Sequence, residues 1–124
     1  MKNQIWSTYI QRAETLYRSR NMRFRNEYKE QYLKALGLEN GMSILEVGCG
    51  PGLLCHSLKE WLPDSSITGL DRDSYFIEFA KEKSLEKGLD CKFVEGDAAN
   101  LPFKDNSFDA CTSHTVIEHV ETIC

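Results

Sequence analysis

Apolar residues recur every three or four positions in two stretches near the start of the chain, which is the spacing of amphipathic helices. Gly37 supplies a stop after the second stretch. We therefore predict two helices within residues 1–40 and interpret them as a separate cap or lid. The apolar positions are Ile5, Tyr9, Ala13 and Leu16, followed by Phe24, Tyr28, Tyr32 and Leu36.

From Ser43 the pattern changes to short apolar runs that alternate with helical stretches. Runs of this length, bounded by glycine or polar residues, predict strands, and the stretches between them predict helices. The alternation predicts an α/β fold with a doubly wound, mostly parallel sheet of about four strands. The predicted strands are residues 44–47, 67–71, 91–95 and 108–113, and the predicted helices are 54–62 and 75–87.

Length and composition restrict the class of protein. A chain of 124 residues with 41% hydrophobic and 27% charged residues can bury a core but holds only one compact unit. No apolar run could cross a bilayer and no signal peptide is evident, so we expect a cytoplasmic protein without membrane contact. The five cysteines are scattered, with no C-x-x-C pair, and predict reduced thiols and no metal site.

The charges are distributed unevenly along the chain. Residues 1–40 carry eight Lys or Arg against four Glu, whereas residues 41–124 carry seven against fifteen acids. A basic arm of this kind could contact nucleic acid. The i,i+4 pairs of Arg23 with Glu27 and of Glu30 with Lys34 instead favour a solvated helix face, so a nucleic-acid partner is the weaker hypothesis.

The most informative segment is the glycine-rich loop, residues 46–52, between the first predicted strand and its helix. Glycines at Gly48, Gly50 and Gly52 allow positive φ and close approach of a ligand, and the following helix start favours an anionic group there. A purely structural turn is the alternative. Asp71 ends the second strand, where its carboxylate can accept from two ribose hydroxyls, so we predict a nucleoside ligand.

The spacing of the glycines argues against a dinucleotide. The fingerprint for dinucleotides is G-x-G-x-x-G, whereas this loop has G-x-G-x-G, with Leu53 where the third glycine belongs. Pro51 also removes one N–H from the loop. An NAD-dependent oxidoreductase is therefore the least favoured hypothesis.

The stretch from Ile44 to Gly52 closely resembles the cofactor loop of class I S-adenosylmethionine-dependent methyltransferases. Three later segments resemble successive motifs of the same family, namely residues 69–73, 94–103 and 108–120. The resemblance implies a Rossmann-like sheet with strand order 3-2-1-4, incomplete relative to the family's seven strands. It also implies that residues 41–124 form a cofactor-binding half-domain, and we expect that the chain is truncated after the fourth strand.

The resemblance assigns roles to individual residues, with S-adenosylmethionine as cofactor and S-adenosylhomocysteine as product. The glycine-rich loop would hold the methionine part, Asp71 the ribose, and Asp97 with the N–H of Ala98 the adenine. For Asp97, a carboxylate that merely caps the turn 98–100 is the alternative. The implied cofactor-binding residues are Glu46, Gly48, Cys49, Gly50, Gly52, Asp71, Arg72, Asp97, Ala98 and Leu101, with Arg72 and Leu101 beside the adenine ring.

Two histidines near the fourth strand are candidate general bases for an acceptor that must lose a proton. His114 ends that strand and His119 lies on the predicted helix beyond it. For either ring, an ordinary half-buried structural role is the stronger interpretation. The strand also lacks an Asn-Pro-Pro-Tyr sequence of the kind used to methylate the amino groups of bases, which favours a small-molecule acceptor.

We therefore predict the cofactor-binding part of a methyltransferase, an enzyme. A non-catalytic nucleoside-binding or assembly module that kept the same loop is the alternative from another class. A fourth strand at the edge of the sheet, with apolar residues after it, further predicts a homodimer through residues 108–124.

Overall fold

Four strands and three helices follow one another along the chain in the computed structural model, which describes residues 13–14, 29–104 and 106–113. The first predicted helix falls almost wholly outside the described residues, as do His114 and His119. The elements are α1 (Lys29–Leu36), β1 (Ser43–Val47), α2 (Leu53–Trp61), β2 (Ser66–Asp71), α3 (Ser74–Lys87), β3 (Cys91–Glu95) and β4 (Ala110–Ser113).

The four strands form one parallel sheet in the order β3-β2-β1-β4. Ile44 of β1 lies opposite Ile67 of β2 on one side and opposite Ala110 of β4 on the other. The predicted order 3-2-1-4 is confirmed. Because the strands are parallel, their carboxyl ends meet at one edge of the sheet, where ligands bind in folds of this type.

Both faces of the central strand are buried, as expected for a parallel sheet covered on two sides. Ile44 belongs to a core cluster that includes residues of α2 and α3, such as Leu58 and Ala80. Leu45 and Val47 belong to a second cluster on the opposite face, against which the segment between β3 and β4 packs. Successive side chains of β1 therefore point to opposite faces of the sheet, and each packs in the core cluster on its own face.

The start of β4 differs from the prediction. Strand β4 begins at Ala110, two residues later than predicted. The ring of Phe108 packs edge-on against Phe103 at 5.0 Å and contacts the second core cluster. Within the described residues α1 begins at Lys29, and its Tyr32 packs against the first core cluster. The Tyr32 ring lies 6.2 Å from that of Trp61 on α2.

The cysteines only partly follow the prediction. Cys49, Cys55 and Cys91 are free thiols, as expected. Cys111 is disulfide-bonded, so the expectation of reduced thiols is wrong there. Across the described ranges, no group of three His, Cys, Asp or Glu side chains is arranged to hold a metal ion. The same ranges contain no helix that is long and apolar enough to cross a membrane.

The outer edge of β4 is where we expect two copies of the chain to meet. Among the described residues, β4 pairs with β1 alone, and residues 114–124 of the predicted contact lie outside the described part. An open edge of backbone N–H and C=O groups favours pairing with another strand. We expect sedimentation equilibrium at micromolar concentration to give a dimer that charged substitutions at Ile117 and Val120 weaken. A stable monomer would contradict this prediction.

Candidate functional site

A cleft of about 240 Å³ opens at the carboxyl edge of the sheet, where the loops after β1, β2 and β3 converge. Each of these loops contributes to its wall because parallel strands end at the same level. Five of the residues predicted to bind a cofactor line it, together with three that were not predicted. The lining residues are Gly48, Leu70, Asp71, Arg72, Gly96, Asp97, Ala98 and Ala99.

The loop between β1 and α2 requires glycine for its backbone course. Gly48, Gly50 and Gly52 have φ values of 73°, 56° and 92°, which lie in the left-handed region. Residues other than glycine rarely adopt this backbone conformation, because their Cβ crowds the neighbouring carbonyl oxygen. The predicted positive φ is therefore confirmed at all three positions.

The amides of this loop are already used within the protein. The N–H groups of Gly48 and Cys49 both donate to the carbonyl oxygen of Leu70, at 2.7 and 3.0 Å. The N–H of Gly50 donates to the Asp71 carboxylate at 2.9 Å. An anion at these three amides would have to compete with these bonds. The predicted anionic group belongs to the start of α2, which these bonds do not involve.

Asp71 joins two loops of the cleft through its carboxylate. Its Oδ2 accepts from the N–H of Gly50, and its Oδ1 accepts from the N–H of Asp73 at 2.8 Å. Each carboxylate oxygen can accept more than one hydrogen bond, so both keep acceptor capacity. The half-buried side chain lines the cleft with its orientation already fixed by backbone donors. Such a group suits a ligand that offers two adjacent hydroxyls.

Asp97 shapes the opposite wall by folding the chain into a tight turn. Its Oδ1 accepts from the N–H of Ala99 at 2.9 Å, and its carbonyl oxygen accepts from the N–H of Asn100 at 3.0 Å. This is the turn-capping geometry that the sequence left open as the alternative. The turn also brings Ala98 to the cleft, so the two roles of Asp97 are compatible.

Of two residues predicted to flank the adenine ring, one lines the cleft and the other packs against the core. Arg72 is exposed and lines the cleft beside Asp71. Leu101 instead packs against the second core cluster, with Leu45 and Leu70. It supports the floor of the cleft from behind, and the prediction that it flanks a bound ring has no support in this placement.

Glu46 is buried, with 1% of its surface exposed, and lies below the glycine-rich loop. Its Oε1 accepts from the Sγ of Cys55 at 3.3 Å. Burial, reinforced by the charge of Glu46, raises the pKa of the Cys55 thiol well above its usual value. The same two causes raise the pKa of the Tyr32 hydroxyl. Glu46 thus connects β1 to α2 by a hydrogen bond, and its charge acts on Tyr32 of α1. It is not among the residues that line the cleft.

Gly52 and Gly69 are required by packing inside the protein. A Cβ on Gly52 would lie 2.8 Å from the Ala80 Cβ and 3.0 Å from Cζ of Phe93. A Cβ on Gly69 would lie 2.8 Å from the Phe93 ring and 2.9 Å from the Sγ of Cys49. Gly52 therefore serves the contact between α2, α3 and β3, whereas the sequence analysis had assigned it to the approach of a ligand.

Three residues of the cleft were not predicted. Leu70, Gly96 and Ala99 line it directly beside predicted residues, because each is an immediate or near neighbour of Asp71 or Asp97 along the chain. A Cβ at position 96 would lie 2.8 Å from a methyl group of Leu70, so a larger residue there would require the Leu70 side chain to shift. The signal that could have found them is adjacency to the strand ends.

The charges in the cleft favour a ligand without phosphate groups. The described lining contains two carboxylates, from Asp71 and Asp97, against one guanidinium, from Arg72. Like charges near a phosphate are unfavourable, and the loop amides that would normally bind a pyrophosphate are bonded internally. The charge balance and the bonded amides therefore favour a nucleoside over a dinucleotide.

Comparison with known proteins agrees with this geometry. The family model of the methyltransferase domain matches residues 44–123. A sterol 24-C-methyltransferase of Gibberella zeae is 36% identical over 97 residues, which are 76% of this chain and 25% of that protein. A demethylmenaquinone methyltransferase of Staphylococcus aureus is 36% identical over 86 residues, which are 68% of this chain and 35% of that protein.

Solved structures share the fold. An S-adenosylmethionine-dependent methyltransferase from Aquifex aeolicus superposes with a TM-score of 0.73 over 90% of this chain and 60% of its own, at 22% identity. The chain belongs to the methyltransferase domain family, among the class I S-adenosylmethionine-dependent enzymes. It spans about a quarter to a third of the length of the two curated relatives, at 25% and 35%.

Proposed function

We propose that the chain binds S-adenosylmethionine in the cleft between Gly48, Asp71 and Asp97, as the cofactor-binding part of a methyltransferase with a small-molecule acceptor. The observation that carries the proposal is the Asp71 carboxylate, which lines the cleft and is held by two backbone donors. Family membership supports the choice of cofactor.

The residues fit the nucleoside part of this cofactor. Two adjacent ribose hydroxyls can donate to the two Asp71 oxygens, and the turn at Asp97 places a carboxylate and the N–H of Ala98 beside the same cleft. S-Adenosylmethionine carries no phosphate, which agrees with the internally bonded loop amides. The expected roles of Gly48, Gly50 and Gly52 toward the methionine part, and of Arg72 toward the adenine, belong to this proposal.

The cofactor would supply an activated methyl group on a sulfonium, so the protein has little covalent chemistry to perform. The contribution of the chain is to bind and orient the nucleoside so that the methyl group faces the acceptor in a fixed direction. His114 and His119 stay candidate general bases, with an ordinary structural role as the stronger interpretation, and both lie outside the described residues.

The relatives support a small-molecule acceptor. The names of the two curated relatives specify a sterol and demethylmenaquinone, both small molecules. The described cleft is assigned to the cofactor, and no acceptor site is assigned among the described residues. A nucleic-acid partner remains the weaker hypothesis.

Isothermal titration calorimetry tests the cofactor. We expect S-adenosylhomocysteine to bind and NAD to give no measurable heat, and we expect Asp71→Ala to weaken binding by about 1 to 3 kcal/mol, the cost of losing a charged acceptor. Asp64→Ala is the matched control, because Asp64 bonds only to Asn40 at the opposite, amino edge of the sheet. Equal affinity of Asp71→Ala and Asp64→Ala for S-adenosylhomocysteine would refute the ribose contact.

A further inference from the structure

We propose that Asp73 is a positioning residue that sets the preference of the cleft for a ribose with both hydroxyls. The inference rests on the proposed function, because it concerns the same nucleoside site. Asp73 is not among the residues that line the cleft. It would therefore act on the ligand only through Asp71.

The backbone of Asp73 holds one of the two oxygens that face the ligand. Its N–H donates to Oδ1 of Asp71 at 2.8 Å. The other oxygen is held by Gly50, on a different loop. Each oxygen thus has its own backbone donor, and the plane of the carboxylate is fixed only while both donors stay in place.

The side chain of Asp73 holds its own backbone in that position. Asp73 is the N-cap of α3, with φ −88° and ψ 107°, and its Oδ1 accepts from the N–H groups of Tyr75 at 3.0 Å and Phe76 at 3.4 Å. An N-cap side chain of this kind fixes the residue in extended geometry at the start of a helix. Without it, the turn between β2 and α3 gains freedom, and the N–H directed at Asp71 is no longer held.

The consequence is specific to the ribose hydroxyls. When the cap is lost, only the N–H of Gly50 still orients the Asp71 carboxylate. The carboxylate can then rotate about its Cβ–Cγ bond, and its two oxygens are no longer held in position for two hydroxyls. The base is proposed to bind at the turn after β3, where the hydrogen bond from Ala99 to Asp97 does not involve Asp71 or Asp73. A ligand without the hydroxyls should therefore bind equally well with or without the cap.

The experiment compares the affinities of S-adenosylhomocysteine and its 2′,3′-dideoxy analogue in four forms of the chain. We expect the unaltered chain to prefer the hydroxylated ligand, and Asp73→Ala to reduce that preference about five-fold, in line with the partial loss of hydrogen bonding from the ribose hydroxyls. Asp73→Ser retains a capping oxygen and should restore the preference. The affinity for the dideoxy analogue should stay within about two-fold throughout, since no capping contact touches it.

Asn40→Ala is the matched control for a loss of stability. It removes two side-chain hydrogen bonds to Asp64 at the amino edge of the sheet, far from the cleft, and should leave the ligand preference unchanged. An Asp73→Ala chain that is folded by circular dichroism and keeps the full preference would overturn the inference while leaving the proposed function intact. A parent chain that binds neither ligand would overturn the proposed function, and this inference with it.

Discussion

Replacement of Gly52 by alanine is expected to lower the free energy of unfolding by about 2 to 5 kcal/mol, the sum of a left-handed backbone cost and an overpacking cost. The backbone there has φ 92°, and the added Cβ would lie 2.8 Å from the Ala80 Cβ. Neither Ala80 nor the Phe93 ring on the other side can move freely, because both lie in the first core cluster. Urea denaturation followed by circular dichroism measures the effect.

Gly88→Ala separates the two causes. Gly88 ends α3 with φ 66°, and a Cβ there would meet nothing within 4 Å. Its substitution should therefore cost only the backbone part, about 1 to 2 kcal/mol. If the two variants lost the same stability, the contact of Gly52 with α3 and β3 would contribute nothing, and the packing explanation for this glycine would be wrong.

Acidification from pH 7 to pH 5 is expected to destabilise the fold by about 2 kcal/mol through His56 alone. This side chain is fully buried in α2, where its Nε2 lies 3.1 Å from the carbonyl oxygen of Ala80 and 2.8 Å from Oγ of Ser84. The pKa of the ring is lowered to about 4, mainly by burial; the bond to Ala80 opposes this shift, and the ammonium groups of Lys87 and Lys83 contribute to it.

The direction follows from proton binding in the two states. The unfolded chain takes up a proton near pH 6.5, whereas the folded chain resists protonation of His56 until about pH 4. The free energy of unfolding therefore has its full value above pH 6.5, and it decreases as the pH falls from 6.5 towards 4. Since the carbonyl of Ala80 can only accept, the neutral ring carries its proton on Nε2.

His56→Gln is the control for this pH dependence. Glutamine keeps a donor for the Ala80 carbonyl but does not titrate, so the variant should start less stable and lose about 2 kcal/mol less than the parent between pH 7 and pH 5. Urea midpoints at the two pH values give the comparison, in which the other histidines cancel. Parallel losses in both proteins would show that His56 does not carry the effect.

The arrangement of the sheet could be predicted because its signals are local. Short apolar runs located all four strands, three of which end at glycine or aspartate, and the motif resemblance supplied their order. Asp71 was found for the same reason, since the end of a parallel strand is recognisable in the sequence and falls at the ligand edge. The error at Phe108 was also local, because an apolar residue before a strand can either join the strand or pack beside it.

The detailed roles in the glycine-rich loop could not be predicted, because they depend on partners distant in the sequence. Gly52 meets Ala80 and Phe93, which are brought to it only when α3 and β3 fold over α2. The internal use of the loop amides depends on Leu70 in the neighbouring strand. The same is true of Glu46, whose burial beside Cys55 is decided by the side of the sheet that its strand position faces.

The double attachment of Asp71 has a consequence for how such chains change over evolutionary time. The carboxylate joins the loop after β1 to the turn before α3, so its loss would loosen the fold even where no ligand is bound. A descendant that abandoned methyl transfer would still be selected to keep this aspartate, for its stability alone. Inheritance of the acid at the end of β2 therefore traces ancestry. A lineage that lost its ligand would first change elsewhere, at residues such as Arg72 and Ala98, which line the cleft.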